Sequence, residues 1–157
     1  MSTIIIEHAD CLRHDMGAHH PECPERLGAI GDRLIASGLD ALIAREPAPM
    51  ATREQLERVH APGYLDVLEE ASPAHGIVHL DPDTAMNPHS LAAALRAAGA
   101  AVRATDLVVG GEADTAFCLT RPPGHHAERG RAMGFCIDRK STRLNSSHVA
   151  LSRMPSS

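Results

Sequence analysis

Two adjacent imidazoles stand in Arg121-Pro122-Pro123-Gly124-His125-His126-Ala127, and Gly134-Phe135-Cys136 follows closely. Pro122 and Pro123 each fix a φ angle and Gly124 admits a conformation that other residues avoid, so the backbone ahead of the pair is held in one shape. Rigid presentation suits a catalytic base. One histidine could take a proton from an attacking water while the other, charged or hydrogen-bonded, stabilises an oxyanion or protonates a leaving group. The plain alternative is a polar surface loop. A second cluster, Cys11, His14, His19, His20 and Cys23, offers possible metal ligands. Its spacings fit no standard zinc finger, and a solvent-facing loop is the simpler reading.

The elements that must position these residues follow from apolar spacing. The β-branched run Thr3-Ile4-Ile5-Ile6-Glu7 predicts a buried strand, and the polar, histidine-rich residues 8–23 predict a long loop. From Pro24, Leu27, Ile30 and Leu34 recur at spacings of three and four until Gly38, which predicts one amphipathic helix with a glycine stop. Thr52-Arg53-Glu54-Gln55 has the side chains of a capping box, opening a short helix to about Val59. Pro62 starts another through Tyr64, Val67 and Leu68, ending at Ser72-Pro73, and residues 80–88 read as loop. Ser90 could cap the longest helix, with Leu91, Leu95, Ala98 and Val102 marking one face, alanines letting it lie close to a sheet and Gly110-Gly111 ending it. Residues 113–119 then read as a second, mostly buried strand that delivers the chain to Arg121. A loop at the carboxyl end of a parallel strand is where open α/β sheets place their ligands.

Composition divides the chain. Residues 1–137 contain four serines and no lysine, whereas the last 20 residues contain six serines and the single lysine, Lys140. Without that tail the body carries 11 basic and 19 acidic side chains, a formal net of −8. An acidic body with no basic stripe argues against a nucleic-acid partner and is compatible with a cationic small substrate. The four cysteines show no paired framework, no leader-like apolar segment opens the chain, and no apolar run approaches a membrane span. A reducing cytoplasm is the expected setting. Oligomeric state is not legible here.

The run from Arg121 to Ala127 together with Gly134-Phe135-Cys136 resembles the zinc-dependent histone deacetylase superfamily, which includes acetoin-utilisation proteins and acetylpolyamine amidohydrolases. His14-Asp15-Met16-Gly17 and His20-Pro21-Glu22-Cys23-Pro24-Glu25-Arg26-Leu27 resemble the first motif loop of its class II and bacterial members. Val59-His60 with Tyr64, and Asp81-Pro82-Asp83-Thr84 followed by Ser90 and the alanine-rich helix, fall in the family's order. The resemblance implies an α/β, arginase/deacetylase-type three-layer fold with a mainly parallel sheet, of which this is the amino-terminal portion. It implies hydrolysis of acyl-lysine or small acyl-amine amides by water on Zn²⁺. His126 would be the general base, His125 its electrostatic partner, and Phe135 with Gly134 the wall of the substrate tunnel. Arg26 would lie near the product exit. Asp81 would be the rim aspartate, with Asp83 as the other choice; for both, capping an Asx-type turn is the plain alternative.

The family's zinc ligands and its carbonyl-polarising residue lie downstream of the paired histidines, and no aspartate of this chain is followed two positions later by histidine. The reading is therefore of a deacetylase portion over residues 1–137 that is inactive alone. Residues 138–157 resemble the translation of a sequencing-library adapter and are expected to be a non-native, disordered tail; a natural disordered tail is the alternative. A rival function is a small non-catalytic module that uses residues 8–23 to bind a metal or a partner.

Overall fold

The computed structural model describes residues 2–138 and the backbone of residues 150–152. Strand β1 (Thr3–Glu7) lies inside a four-stranded sheet. It runs parallel to β2 (Ala44–Pro47) on one side and to β5 (Thr115–Leu119) on the other. Three successive isoleucines suit that position, because a strand paired on both edges and covered on both faces needs apolar side chains at every residue. Ile4, Ile6, Ala116 and Cys118 share a cluster with Ala100, Ala104, Leu107 and Val108 of helix α5 (Ser90–Gly110). Ile5, Leu119 and the partly buried Phe117 instead meet Leu27, Ile30 and Leu34 of α2 (Glu25–Ala36). Strand alternation thus sends odd and even positions to different helices, which makes three layers. Both strands, α2 and its left-handed stop at Gly38 (φ 74°) agree with expectation.

Helix α5 buries mainly alanines, whereas Leu91, Leu95 and Val102, expected to mark its inner face, are only partly covered. Small side chains let the backbone come close to its neighbour. At Gly99 an added Cβ would lie 1.9 Å from the Pro49 carbonyl oxygen, and the Ala51 amide donates to the Leu95 carbonyl at 2.9 Å. Ala94 and Ala98 meet Leu56, Tyr64, Leu65, Leu68 and Met86 in a further cluster. That cluster draws on α3 (Arg53–Glu57), which opens on the expected capping box at Thr52 and Gln55, and on α4 (Pro62–Ala71), which begins at Pro62.

Three local expectations are corrected and one strand is unanticipated. Residues 8–23 contain a one-turn helix, α1 (Asp10–Arg13). Residues 80–88 contain part of a hairpin, β3 (Val78–Asp81) and β4 (Thr84–Met86). Among the described residues strand β2 pairs with β1 alone; as an edge strand it carries no apolar alternation and escapes a periodicity reading. Ser90 is the first helical residue and does not cap; its hydroxyl accepts from the Asn87 amide at 2.8 Å. One departure lies within the segment read as a disordered tail: Ala150–Ser152 forms β6, antiparallel on the outer edge of β5, where unpaired backbone groups recruit an extended segment. Residues 139–149 and 153–157 of that tail lie outside the described residues. Among the described residues no helix is long and apolar enough to cross a membrane.

Candidate functional site

The chain leaves β5 through Thr120 and enters Arg121, whose side chain is fully buried. Its Nε and Nη2 donate to the two carboxylate oxygens of Glu22, each at 2.7 Å, and its Nη1 donates to the carbonyls of Cys11 (2.9 Å) and His14 (2.8 Å). A buried guanidinium is tolerable only when its donors are satisfied in this way. The first motif loop and the dihistidine loop are thereby tied together at their roots. His14 completes the tie, with its Nδ1 2.7 Å from the Ser90 hydroxyl. Burial first, and the Arg121 charge second, push the His14 imidazole down to about 3. It is therefore neutral, and the 3.5 Å approach of its Nε2 to Glu22 is not an ion pair, since that carboxylate is already engaged by Arg121. Arg26 joins the same root: its Nη2 donates to the Thr120 carbonyl at 3.1 Å. It thus borders the loop's anchored end.

Beyond the anchor, Pro122, Pro123 and Gly124 are buried, while His125 and His126 emerge exposed with ring centroids 4.2 Å apart. Partial burial, then the neighbouring His126, lower the His125 pKa from its ordinary value. The shift favours the neutral ring, the form able to accept a proton. The His126 amide donates to Cys136 Sγ at 3.4 Å, and that thiol in turn donates to the Gly134 carbonyl at 3.2 Å. Burial pushes the Cys136 thiol up, so it stays protonated as that donor.

Met133 and Cys136 pair across a two-residue turn whose central residues both have positive φ, Gly134 at 57° and Phe135 at 68°. Glycine is needed at the first: an added Cβ would lie 2.8 Å from the His126 ring atoms. Phe135 meets the His20 ring edge-on at 4.6 Å. The structure thus brings His125, His126, Gly134 and Phe135 together and adds His20 from the first motif loop. The two aspartates separate. Asp83 accepts from the Gly134 amide at 3.1 Å, whereas Asp81 accepts from the Asp83 amide at 2.9 Å, the turn-capping arrangement.

Sequence reasoning missed the ties of Arg121 to Glu22 and of Thr84 to the Phe135 amide, because partners 99 and 51 positions apart leave no local signal. The five candidate ligands of residues 8–23 are also dispersed. Cys11 is buried beneath Arg121, His14 is bound to Ser90, and the His20 Nδ1 accepts from the Glu22 amide at 3.1 Å. Among the described residues no group of three or more His, Cys, Asp or Glu side chains is placed to hold a metal ion. They do not fit a catalytic zinc, which takes about three protein ligands and an open position.

A sequence model of the histone deacetylase domain matches residues 20–151. A histone deacetylase-like amidohydrolase of Pseudomonas aeruginosa is 43% identical over 120 residues, covering 76% of this chain and 31% of that protein. A probable deacetylase of Archaeoglobus fulgidus is 37% identical over 139 residues, 87% of this chain and 38% of its own length. The human polyamine deacetylase HDAC10 is 34% identical over 147 residues, 87% of this chain and 22% of that one. The crystal structure of the HDA15 HD domain superposes with a TM-score of 0.82 at 32% identity, over 88% of this chain and 40% of that chain. The chain spans less than half the length of each of these proteins. With an α/β sheet of the expected kind, the motifs in order and these likenesses, the chain belongs to the histone deacetylase family.

Proposed function

We propose that the whole protein to which this chain belongs is an amidohydrolase that removes acyl groups from acyl-lysine or small acyl-amine substrates in the cytoplasm. The observation that carries this reading is the His125–His126 pair, exposed at the carboxyl end of β5 on a loop whose root is buried around Arg121. His126 takes the proton of a water as its oxygen adds to the acyl carbonyl carbon. His125, close beside it, supplies the electrostatic partner. Collapse of the adduct breaks the carbon–nitrogen bond, and the amine leaves with a proton returned from the histidine pair. Phe135 and Gly134 wall the approach to His126, Arg26 lies toward the product exit, and Asp81 is the rim aspartate that receives substrate amides. The acidic balance of residues 1–137 favours a cationic amine, and one relative is named for polyamines. Zinc belongs to this proposal as a cofactor whose ligands come from outside the described residues.

This chain by itself is proposed to be inactive. The test is acetate release from an acetyl-lysine peptide and from an acetylated polyamine by the full-length gene product, by its His126→Ala variant and by the 157-residue chain. Turnover by the full-length product alone, lost by at least about 100-fold on His126→Ala, is the expected result. A full-length product inert on both substrates would sink the reading, and turnover by the short chain would sink its inactivity.

A further inference from the structure

We infer that Asp83 and Thr84 are positioning residues for the dihistidine site, holding the Gly134-Phe135 turn against His126. The inference rests on the proposed role of His126 for its meaning in catalysis, though not for its geometry. Two successive residues of this turn sit in left-handed backbone, and one of them is phenylalanine. A bulky side chain at positive φ is strained and persists only where its surroundings over-determine it. Here the surroundings can be named. The Gly134 amide donates to Asp83 Oδ1 at 3.1 Å and the Phe135 amide to Thr84 Oγ1 at 3.1 Å. The Thr84 hydroxyl proton points back to Asp83 Oδ1 at 3.3 Å, which leaves its lone pairs for the amide. Thr84 is fully buried, so the Phe135 amide has an acceptor of fixed position. Each of the two successive amides of the turn thus has its own side-chain acceptor.

The consequence is specific to the site. The turn's Gly134 lies against the His126 ring and its Phe135 against the His20 ring, so whatever fixes the turn fixes the floor and one wall of the approach to the histidines. The β3–β4 hairpin, which carries none of the proton chemistry, thereby sets the rotamer available to His126.

The experiment uses nuclear magnetic resonance on the full 157-residue chain, which needs no activity. Thr84→Val removes the acceptor while keeping the shape. It is expected to speed exchange of the Phe135 amide about tenfold, to abolish the Phe135–His20 ring contact and to shift the His126 ring resonances. Asp83→Ala is expected to do the same to the Gly134 amide. Thr84→Ser and Asp83→Asn, which keep an oxygen in place, are expected to restore the original signals, and the β1 and β5 amides should not move. Should burial of valine unfold the chain, the exposed Asp83 variants carry the test alone. Unchanged Gly134, Phe135 and His126 signals in folded variants would overturn the inference, as would equal perturbation of β1 and β5. A full-length product without deacylase activity, with these signals behaving as stated, would remove the proposed function and leave the positioning role standing.

Discussion

The two ends of one short loop are built on opposite terms. At Arg121 the side chain is fully buried and makes four hydrogen bonds to Glu22, Cys11 and His14, with His14 carrying the tie on to Ser90. Four and five residues later His125 and His126 are exposed, and the bond that holds the latter's backbone is made to a thiol. Stability is concentrated where no proton chemistry is proposed, and chemistry is presented where little stability resides. A rigid anchor lets the presented end stay open to a substrate without wandering.

The sharpest way to break this contrast is to remove the anchor. Arg121→Ala leaves the buried Glu22 carboxylate with only the partly exposed Arg26 as a cation, at 3.7 Å, and it is expected to cost about 3–5 kcal/mol in urea unfolding, enough to unfold a marginal domain. Replacing both partners with apolar residues should recover much of that loss, because desolvation of the pair offsets much of its attraction. If Arg121→Ala unfolds at the same urea concentration as the parent chain, the anchor is not where stability lies.

Acid probes the same end more gently. His14 has a folded pKa of about 3 against an ordinary 6.5, so between those values the unfolded chain binds a proton that the folded chain refuses. Stability from this group is complete above about pH 6.5 and falls as pH drops toward 3, by about 1.4 kcal/mol for each unit. Carboxylates contribute their own acid loss, so the comparison is with His14→Gln, whose stability profile between pH 6.5 and 4.5 should be flatter by about 2–3 kcal/mol. Parallel profiles would show His14 to be protonated in the fold.

What could be read from the residues divides along the same line. The strands β1 and β5, helix α2, the capping box at Thr52 and the loop carrying His125 and His126 all announce themselves within a few residues, through period, cap or fixed φ. The anchor does not, since an arginine beside two prolines carries no sign that its partner is Glu22. The larger apolar residues of α5 misled for a related reason, although its alanines do lie against the sheet as expected. Leu91, Leu95 and Val102 look like a buried stripe, whereas Gly99 and the alanines permit a closer approach that leaves those three only partly covered while Leu107 and Val108 stay in the core. Residues that act alone were legible, and residues that act through distant partners were not.

Two changes at the presented end complete the comparison. Gly134→Ala places a methyl group against the His126 ring at a positive φ, and about 1–2 kcal/mol of destabilisation is expected, with displaced His126 resonances. The smallest effect should come from the histidine itself. His126 is exposed, and the Cys136 bond uses its backbone amide, which alanine retains. His126→Ala should therefore move unfolding by no more than about 0.5 kcal/mol while removing the proposed base. A loss of stability comparable to that of Arg121→Ala would mean that the imidazole is itself a strut, and the division between anchored and presented ends would collapse. Near-neutral stability beside abolished turnover in the full-length product would place the two roles five residues apart on one loop.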